Sequence, residues 1–222
     1  GAAIIDVGGE STRPGSEEIS VEEELDRIAS VIEGIRKRSD VPISVDTRKA
    51  RVAATALDAG ANVINDVSAL RHDPEMRPLA ARRAVPVILM HMRGEPRSMQ
   101  ENPQYDDVVR DVARDLEAWR DAALAAGVDA ANVLVDPGIG FGKTFEHNLE
   151  LLARCEELTK IAPVVIGASR KAFIGHLAGQ PSGALRMAGS LAAVAAAHRG
   201  GAAIVRVHDV RETVDFLKVL SA

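Results

Sequence analysis

The sequence predicts an α/β protein folded as a (β/α)8 TIM barrel, and three observations carry that prediction. Seven short apolar runs alternate with longer segments of helical periodicity, the rhythm of a parallel βα sheet. The runs are almost continuously apolar, as strands covered on both faces require. Each run also carries a polar or ionisable residue at or just beside its C-terminal end. The first two observations suit a doubly wound sheet equally well, but such a sheet uses only the strand ends beside its switch point. A barrel brings every C-terminal strand end to one mouth, where enzymes of that architecture bind substrate.

The first run, AAIIDV at 2 to 7, contains Asp6 and leads to Glu10 and the loop GGESTRPG at 8 to 15. A helix over 21 to 38 follows from the spacing of Val21, Leu25, Ile28, Ile32 and Ile35, with Ser20 and Glu23 set as a capping box. The run VPISVD at 41 to 46 ends on Asp46 and is followed by a short helix over 48 to 59. ANVIND at 61 to 66 ends on Asn65 and Asp66, with a helix over 74 to 84. VPVILMH at 85 to 91 ends on His91, and the stripe Val108, Val112, Leu116, Trp119, Ala123, Ala126 makes a long helix stopped at Gly127. NVLVDP at 132 to 137 carries Asp136 before a helix over 146 to 160. PVVIGAS at 163 to 169 delivers Ser169 to Lys171, with a helix over 184 to 199. AAIVRVHD at 202 to 209 delivers Arg206 to Asp209, and a helix over 211 to 220 closes the series. A barrel of this class has eight strands, and the sequence opens directly in one. The expectation is a single domain over 1 to 222 with seven of the eight βα units, the first strand and its loop lying upstream of Gly1.

Composition limits the partners. With 46% apolar residues the chain supports one well-buried core, and 27 Lys+Arg against 32 Asp+Glu leave a formal charge of −5. No global field therefore draws it to nucleic acid or to an anionic membrane, and an anionic ligand must be held by a local cationic cluster. No apolar run approaches the roughly 20 residues of a membrane span, so a soluble, cytoplasmic protein is expected. Cys155 is the one cysteine, and its Leu-flanked helical setting gives it a packing role.

The segment DPGIGFGKT at 136 to 144 ends like a phosphate-binding Walker motif, but the first Gly of that motif would fall on Pro137. It is either a plain connecting loop or, with Asp136 at its head, a place where a carboxylate accepts paired hydrogen bonds from an amidine-like ring edge. In the seventh run, strand alternation points Arg206 and His208 to the same side, so guanidinium and imidazole can hold one anion, for which pyrophosphate is a natural candidate. The plainer alternative is a solvated or salt-bridged pair. GGESTRPG is a turn or a binding loop presenting Thr12 and Arg13, and Asp46 and Asn65 are ligand contacts or helix N-caps. His91 has no metal-ligand spacing beside it, so a structural role is expected.

Taken together, GGESTRPG, SVDT, IND, LMHM, DPGIGFGK, GASRK, Arg186 with Gly189-Ser190, and RVHD occur in the order seen in the dihydropteroate synthases, and the chain resembles that family over its whole length. The resemblance implies a usually dimeric (β/α)8 barrel that condenses 6-hydroxymethyl-7,8-dihydropterin pyrophosphate with para-aminobenzoate, with Mg2+ assisting the departure of pyrophosphate. It implies that Asp46, Asn65 and Asp136 read the pterin's amino and ring nitrogens, that Lys171 contacts its carbonyl and N5 region, and that Met90, Phe141 and Gly167 wall the slot. Ser169 belongs to the same substrate-binding set. Arg206 and His208, helped by Thr12 and Arg13, would hold the pyrophosphate, and Lys171, Arg206, His208 and Arg13 form the expected catalytic group. The benzoate carboxylate would lie near the start of the helix after Lys171. The family's metal-holding Asn would lie upstream of Gly1, leaving no metal ligand in this chain, and Ala172 stands where many members carry Ser. Two rival readings are a binding-only barrel homologue and a methyltetrahydrofolate-dependent methyltransferase.

Overall fold

The structure, a computed structural model, describes residues 1–13, 15–95 and 97–222. Pro14 of the GGESTRPG loop lies outside the described residues. Strands β1 (Ile5–Gly8), β2 (Ile43–Asp46), β3 (Val63–Asp66), β4 (Val87–Met90) and β5 (Val133–Asp136) form one parallel sheet in sequence order. Strands β6 (Val165–Ile166) and β7 (Ile204–Val205) pair in parallel, and a bridge from Val135 to Val164 joins them to β5. Helices α1 (Val21–Arg36), α2 (Ala50–Asp58), α3 (Met76–Arg83), α4 (Val108–Ala125), α5 (Phe145–Ala153), α6 (Cys155–Leu158), α7 (Ala172–Ala178), α8 (Met187–Arg199) and α9 (Val210–Leu220) fill the intervals. All seven predicted strands are present, shorter than their apolar runs.

The strands sort their residues by alternation. Outward residues such as Val45, Ile64, Leu89 and Val135 are buried beneath the helices. Inward, Val63, Ile88 and Val165 pack with Leu134 and Ile204 as an apolar plug. Two residues further along the same strands come Asn65, Met90, Gly167, Asp136 and Arg206, so the plug is the floor on which the polar mouth stands. Register fixes the level: Asp46 pairs with Asn65 across β2 and β3, and Met90 pairs with Asp136 across β4 and β5.

Three helical expectations are corrected. The helix over 146 to 160 is broken at Arg154 (φ −112, ψ 27), whose guanidinium pairs with Glu150, Glu157 and Asp107 and so ties the break to α4. The first turn of the helix over 184 to 199 is a 3-10 turn (Gly183–Arg186). The capping box of α1 is half formed: Ser20 accepts from the Glu23 N–H at 3.1 Å, but the Glu23 carboxylate turns to Arg27. A full box stands instead at α5, between Thr144 and His147. Cys155 is buried and its thiol is pushed up to about 11 by that burial, which keeps it inert. Among the described residues no helix is long and apolar enough to cross a membrane.

Candidate active site at the barrel mouth

Three carboxylates stand at the mouth. Asp46 and Asp136 occupy the ends of β2 and β5, and Asp6 on β1 accepts hydrogen bonds from Ser44 Oγ and from Asn65 Nδ2, the latter at 3.3 Å. Burial, then the neighbouring Asp6 charge, pushes the Asp46 carboxyl up to about 7, and Arg206 holds it back from rising further. Asp136 is also raised by burial, against the pull of the Gly138 N–H, which donates to its Oδ1 at 2.7 Å, and of Lys171 and Arg206. Asp46 and Asn65 are not N-caps: the N-cap of α2 is Lys49, with no side-chain cap bond, and the turn after β3 is organised by Asp66, which accepts from Ser68 and the Leu70 N–H.

The cations lie above these carboxylates. Arg206 Nε donates to Asp6 Oδ2 at 2.6 Å and Nη2 reaches Asp46 Oδ2 at 3.4 Å. The salt-bridged alternative therefore holds for Arg206, with partners the sequence did not pair with it. His208 is held by Ser169: its backbone N–H lies 3.3 Å and its Nδ1 3.1 Å from Ser169 Oγ. Partial burial and then the charges of Arg170 and Arg206 lower the imidazole, so it is neutral near pH 7. Lys171 Nζ sits 4.3 Å over the Phe141 ring. Burial depresses its amine to about 8, with Asp136 opposing and Arg206 adding to the depression. Gly167 keeps the slot open between Asp136 and Arg206, since a Cβ there would lie 3.9 Å from each.

Arg13 is exposed, yet its charge reaches both Lys171 and His208, so the loop brings it to the cationic side of the mouth beside half-buried Thr12. What holds that loop escaped the sequence reading. Glu10 accepts from Lys49 Nζ at 2.7 Å, Arg48 Nη2 at 2.8 Å and the Ile19 N–H at 3.1 Å. Burial would raise the Glu10 carboxyl, but the Lys49 and Arg48 bonds outweigh it and the group is lowered. Glu24 closes the cluster from α1 with a 2.8 Å bond to Lys49 Nζ. The available signal was the Arg48-Lys49 pair two residues beyond Asp46 in SVDTRK.

His91 has the expected structural role. It is fully buried, stacks on Trp119 at 5.3 Å, and contacts Lys143 Nζ at 3.0 Å and Asp115 at 3.3 Å. Burial and the Lys143 charge push it down to about 3, so it stays neutral. The Walker-like reading of DPGIGFGKT is excluded by the same geometry, because Lys143 points inward and is 2% exposed. The site thus joins Asp46, Asn65, Met90, Asp136, Phe141, Gly167, Lys171 and Arg206 in one slot, with Ser169, His208, Thr12 and Arg13 at its rim. Asp6 is the member the prediction left out. Lys171 is the N-cap of α7, which has no side-chain cap and only seven residues, so backbone N–H groups and not a long helix dipole are what it offers an anion.

The family model for pterin binding enzyme matches residues 1–208. The dihydropteroate synthase of Escherichia coli strain K12 is 48% identical over all of this chain and 78% of its own length. The structure of Xanthomonas albilineans dihydropteroate synthase with 4-aminobenzoic acid superposes with a TM-score of 0.95 at 47% identity, covering all of this chain and 79% of that one. The same enzyme in complex with 7,8-dihydropteroate gives a TM-score of 0.90 at 44% identity, again over 100% and 79%.

Proposed function

The chain belongs to the pterin-binding enzyme family, and we infer that its mouth carries out the dihydropteroate synthase reaction of folate biosynthesis. This transferase joins 6-hydroxymethyl-7,8-dihydropterin pyrophosphate to para-aminobenzoate and releases 7,8-dihydropteroate and pyrophosphate. The observation that carries the reading is the vertical order of the site. Asp136 and Asn65, both buried, stand just above the apolar plug with Asp46 beside them, Lys171 and Arg206 line the same slot, and Arg13 and His208 lie at its rim. A pterin ring fits such a slot edge-down, its amino and ring N–H groups on the carboxylates and its faces against Met90 and Phe141. The pyrophosphate then meets the Arg206 and Arg13 guanidinium groups and the neutral His208 imidazole.

Reaction proceeds by cleavage of the pterin methylene C–O bond, whose electron pair leaves with pyrophosphate. Arg206, Arg13 and His208 are in place before that charge develops, so its stabilisation requires little reorganisation. The arylamine nitrogen attacks the methylene carbon and loses its proton, and no protein nucleophile is needed. Mg2+ belongs to this proposal only with the substrate, whose phosphate oxygens suit it. Among the described residues no group of three His, Cys, Asp or Glu side chains is placed to hold a metal ion.

A homodimer and a cytoplasmic setting complete the proposal. Phe145 and Leu149 on α5, Leu177 on α7, Leu185 in the 3-10 turn and Met187 at the start of α8 are exposed apolar residues, and the Phe145 ring lies 4.8 Å from His176 of α7, which brings the α5 and α7 residues near one another. The lone buried thiol of Cys155 suits a reducing compartment. The test of function is pyrophosphate release from the pterin substrate with Mg2+, with and without para-aminobenzoate. Benzoate-dependent release with dihydropteroate formed is expected. Tight pterin binding without turnover would instead identify a binding-only homologue.

A further inference from the structure

Burying an ammonium among neutral groups is unfavourable unless its donors are used. Lys143 is such a group: among the described residues no carboxylate pairs with it, and burial depresses its amine to about 7. A Met would fill the same space without that penalty, so what the amine supplies is hydrogen bonds. It donates to the Phe141 carbonyl at 2.9 Å and reaches His91 Nδ1 at 3.0 Å and the His91 carbonyl at 3.4 Å. His91 is itself oriented by Asp115, which Arg93 clamps at 2.9 and 3.1 Å. The tautomer follows: Nε2–H faces Asp115, and Nδ1 accepts from Lys143.

The segment that Lys143 grips has little conformational preference of its own. Gly138, Gly140 and Gly142 all sit at positive φ, and the Phe141 N–H closes a turn on the Gly138 carbonyl at 3.0 Å. Asn148 holds the Gly140 N–H and Tyr105 the Gly142 carbonyl, both from the outer side. Lys143 is the side chain that ties the Phe141 carbonyl to the end of β4. Through Phe141 it fixes the ring beneath the Lys171 amine.

We propose that Lys143, oriented through His91 and Asp115, is a positioning residue for the pterin slot, setting the Gly138–Gly142 turn so that the Phe141 ring forms its wall. This rests on the reading of the mouth as a pterin site. It assigns a function to the lysine of DPGIGFGKT, which touches no substrate in the mechanism above.

The test uses the full chain with Lys143→Met, Phe141→Ala and the double variant, scored by bare-pterin Kd, by KM for each substrate and by thermal midpoint. Lys143→Met should raise the pterin Kd and KM about tenfold while leaving the benzoate KM within about twofold. The double variant should bind pterin no worse than Phe141→Ala alone, because one residue acts through the other. Additive losses, or unchanged pterin affinity in folded Lys143→Met, would overturn the proposal. Should Lys143→Met not fold, Asp115→Ala, at the outer end of the line, frees the His91 tautomer and should raise the pterin KM several-fold. A folded Asp115→Ala protein with wild-type pterin KM would also overturn it. Wild-type protein that binds no pterin would take down the reading of the mouth itself, a result distinct from any difference among the variants.

Discussion

Replacing Asp136 by Asn changes one atom of the slot, and the structure says which way the new amide must face. The Gly138 N–H donates to Asp136 Oδ1 at 2.7 Å, so the Asn oxygen is held there and its NH2 is turned to the side now occupied by Oδ2. That side faces Gly167, whose would-be Cβ lies 3.9 Å from Oδ2. A pterin presenting an amino group and a ring N–H would meet a donor where it needs an acceptor. A hydrogen bond to a charged group contributes about 1.5–3 kcal/mol, and an unmatched buried donor costs a similar amount. Taking the lower part of each range, the loss is about 3–4 kcal/mol, or a few hundredfold in Kd at about 1.4 kcal/mol per factor of ten. The fold should not suffer, since burial disfavours the Asp136 carboxylate and the neutral amide keeps the Gly138 bond. Calorimetric titration with the bare pterin, beside a thermal melt, separates the two effects. Pterin affinity within threefold of wild type would refute the assignment of Asp136 as the ring-edge acceptor.

Arg206→Ala should weaken binding of the pyrophosphate-bearing substrate by at least tenfold and leave the bare pterin bound; equal loss of both ligands in parallel titrations would contradict its role. Asp46 has a folded pKa raised to about 7 from an ordinary 3.8, so the stability tied to its neutral form is present at low pH and lost as pH rises through 7. The stability of wild type relative to Asp46→Asn should therefore fall between about pH 4 and 7 and level off above pH 7, a trend read from urea midpoints. The subtraction matters because Lys143 and Lys171, depressed to about 7 and 8, act in the opposite direction. Glu10→Gln breaks a buried ion cluster whose Glu10 side chain is 6% exposed, and should cost about 3–5 kcal/mol in chemical denaturation. It should also lower kcat/KM for the pyrophosphate substrate with bare-pterin affinity kept, because Arg13 and Thr12 ride on the loop that Glu10 anchors.

The parts of the site legible in the sequence are those set by strand alternation. Asp46, Asn65, Asp136, Lys171 and Arg206 each lie at or just beyond the end of an apolar run, which is enough to predict that they gather at one mouth. Met90, Phe141 and Gly167 are expected only through the family resemblance. What stayed hidden depends on partners far apart in the chain. Nothing local pairs Arg206 with Asp6, or Glu10 with Arg48 and Lys49, and Lys143, whose Walker resemblance already fails at Pro137, shows no role until its burial is known. The break at Arg154 was hidden for the same reason: the apolar stripe continues through it, and the ion pair to Asp107 that fixes it comes from another helix. The last two strands are shorter than their runs because apolar residues such as Val164 and Ala168 are buried without extended ladder pairing.

The Arg206 to Asp6 bond joins residues 200 positions apart. Every βα unit between them can form from local contacts, but this bond waits until the sheet has curved round, so its loop-closure entropy comes due near the end of folding. The pterin slot is complete only when that has happened. A ligand that binds the slot therefore binds the closed chain alone and, by mass action, draws the population toward closure. A pterin added during refolding should act as a latch on the last event of assembly, lowering the escape rate of the finished barrel while leaving the formation of its individual units unchanged.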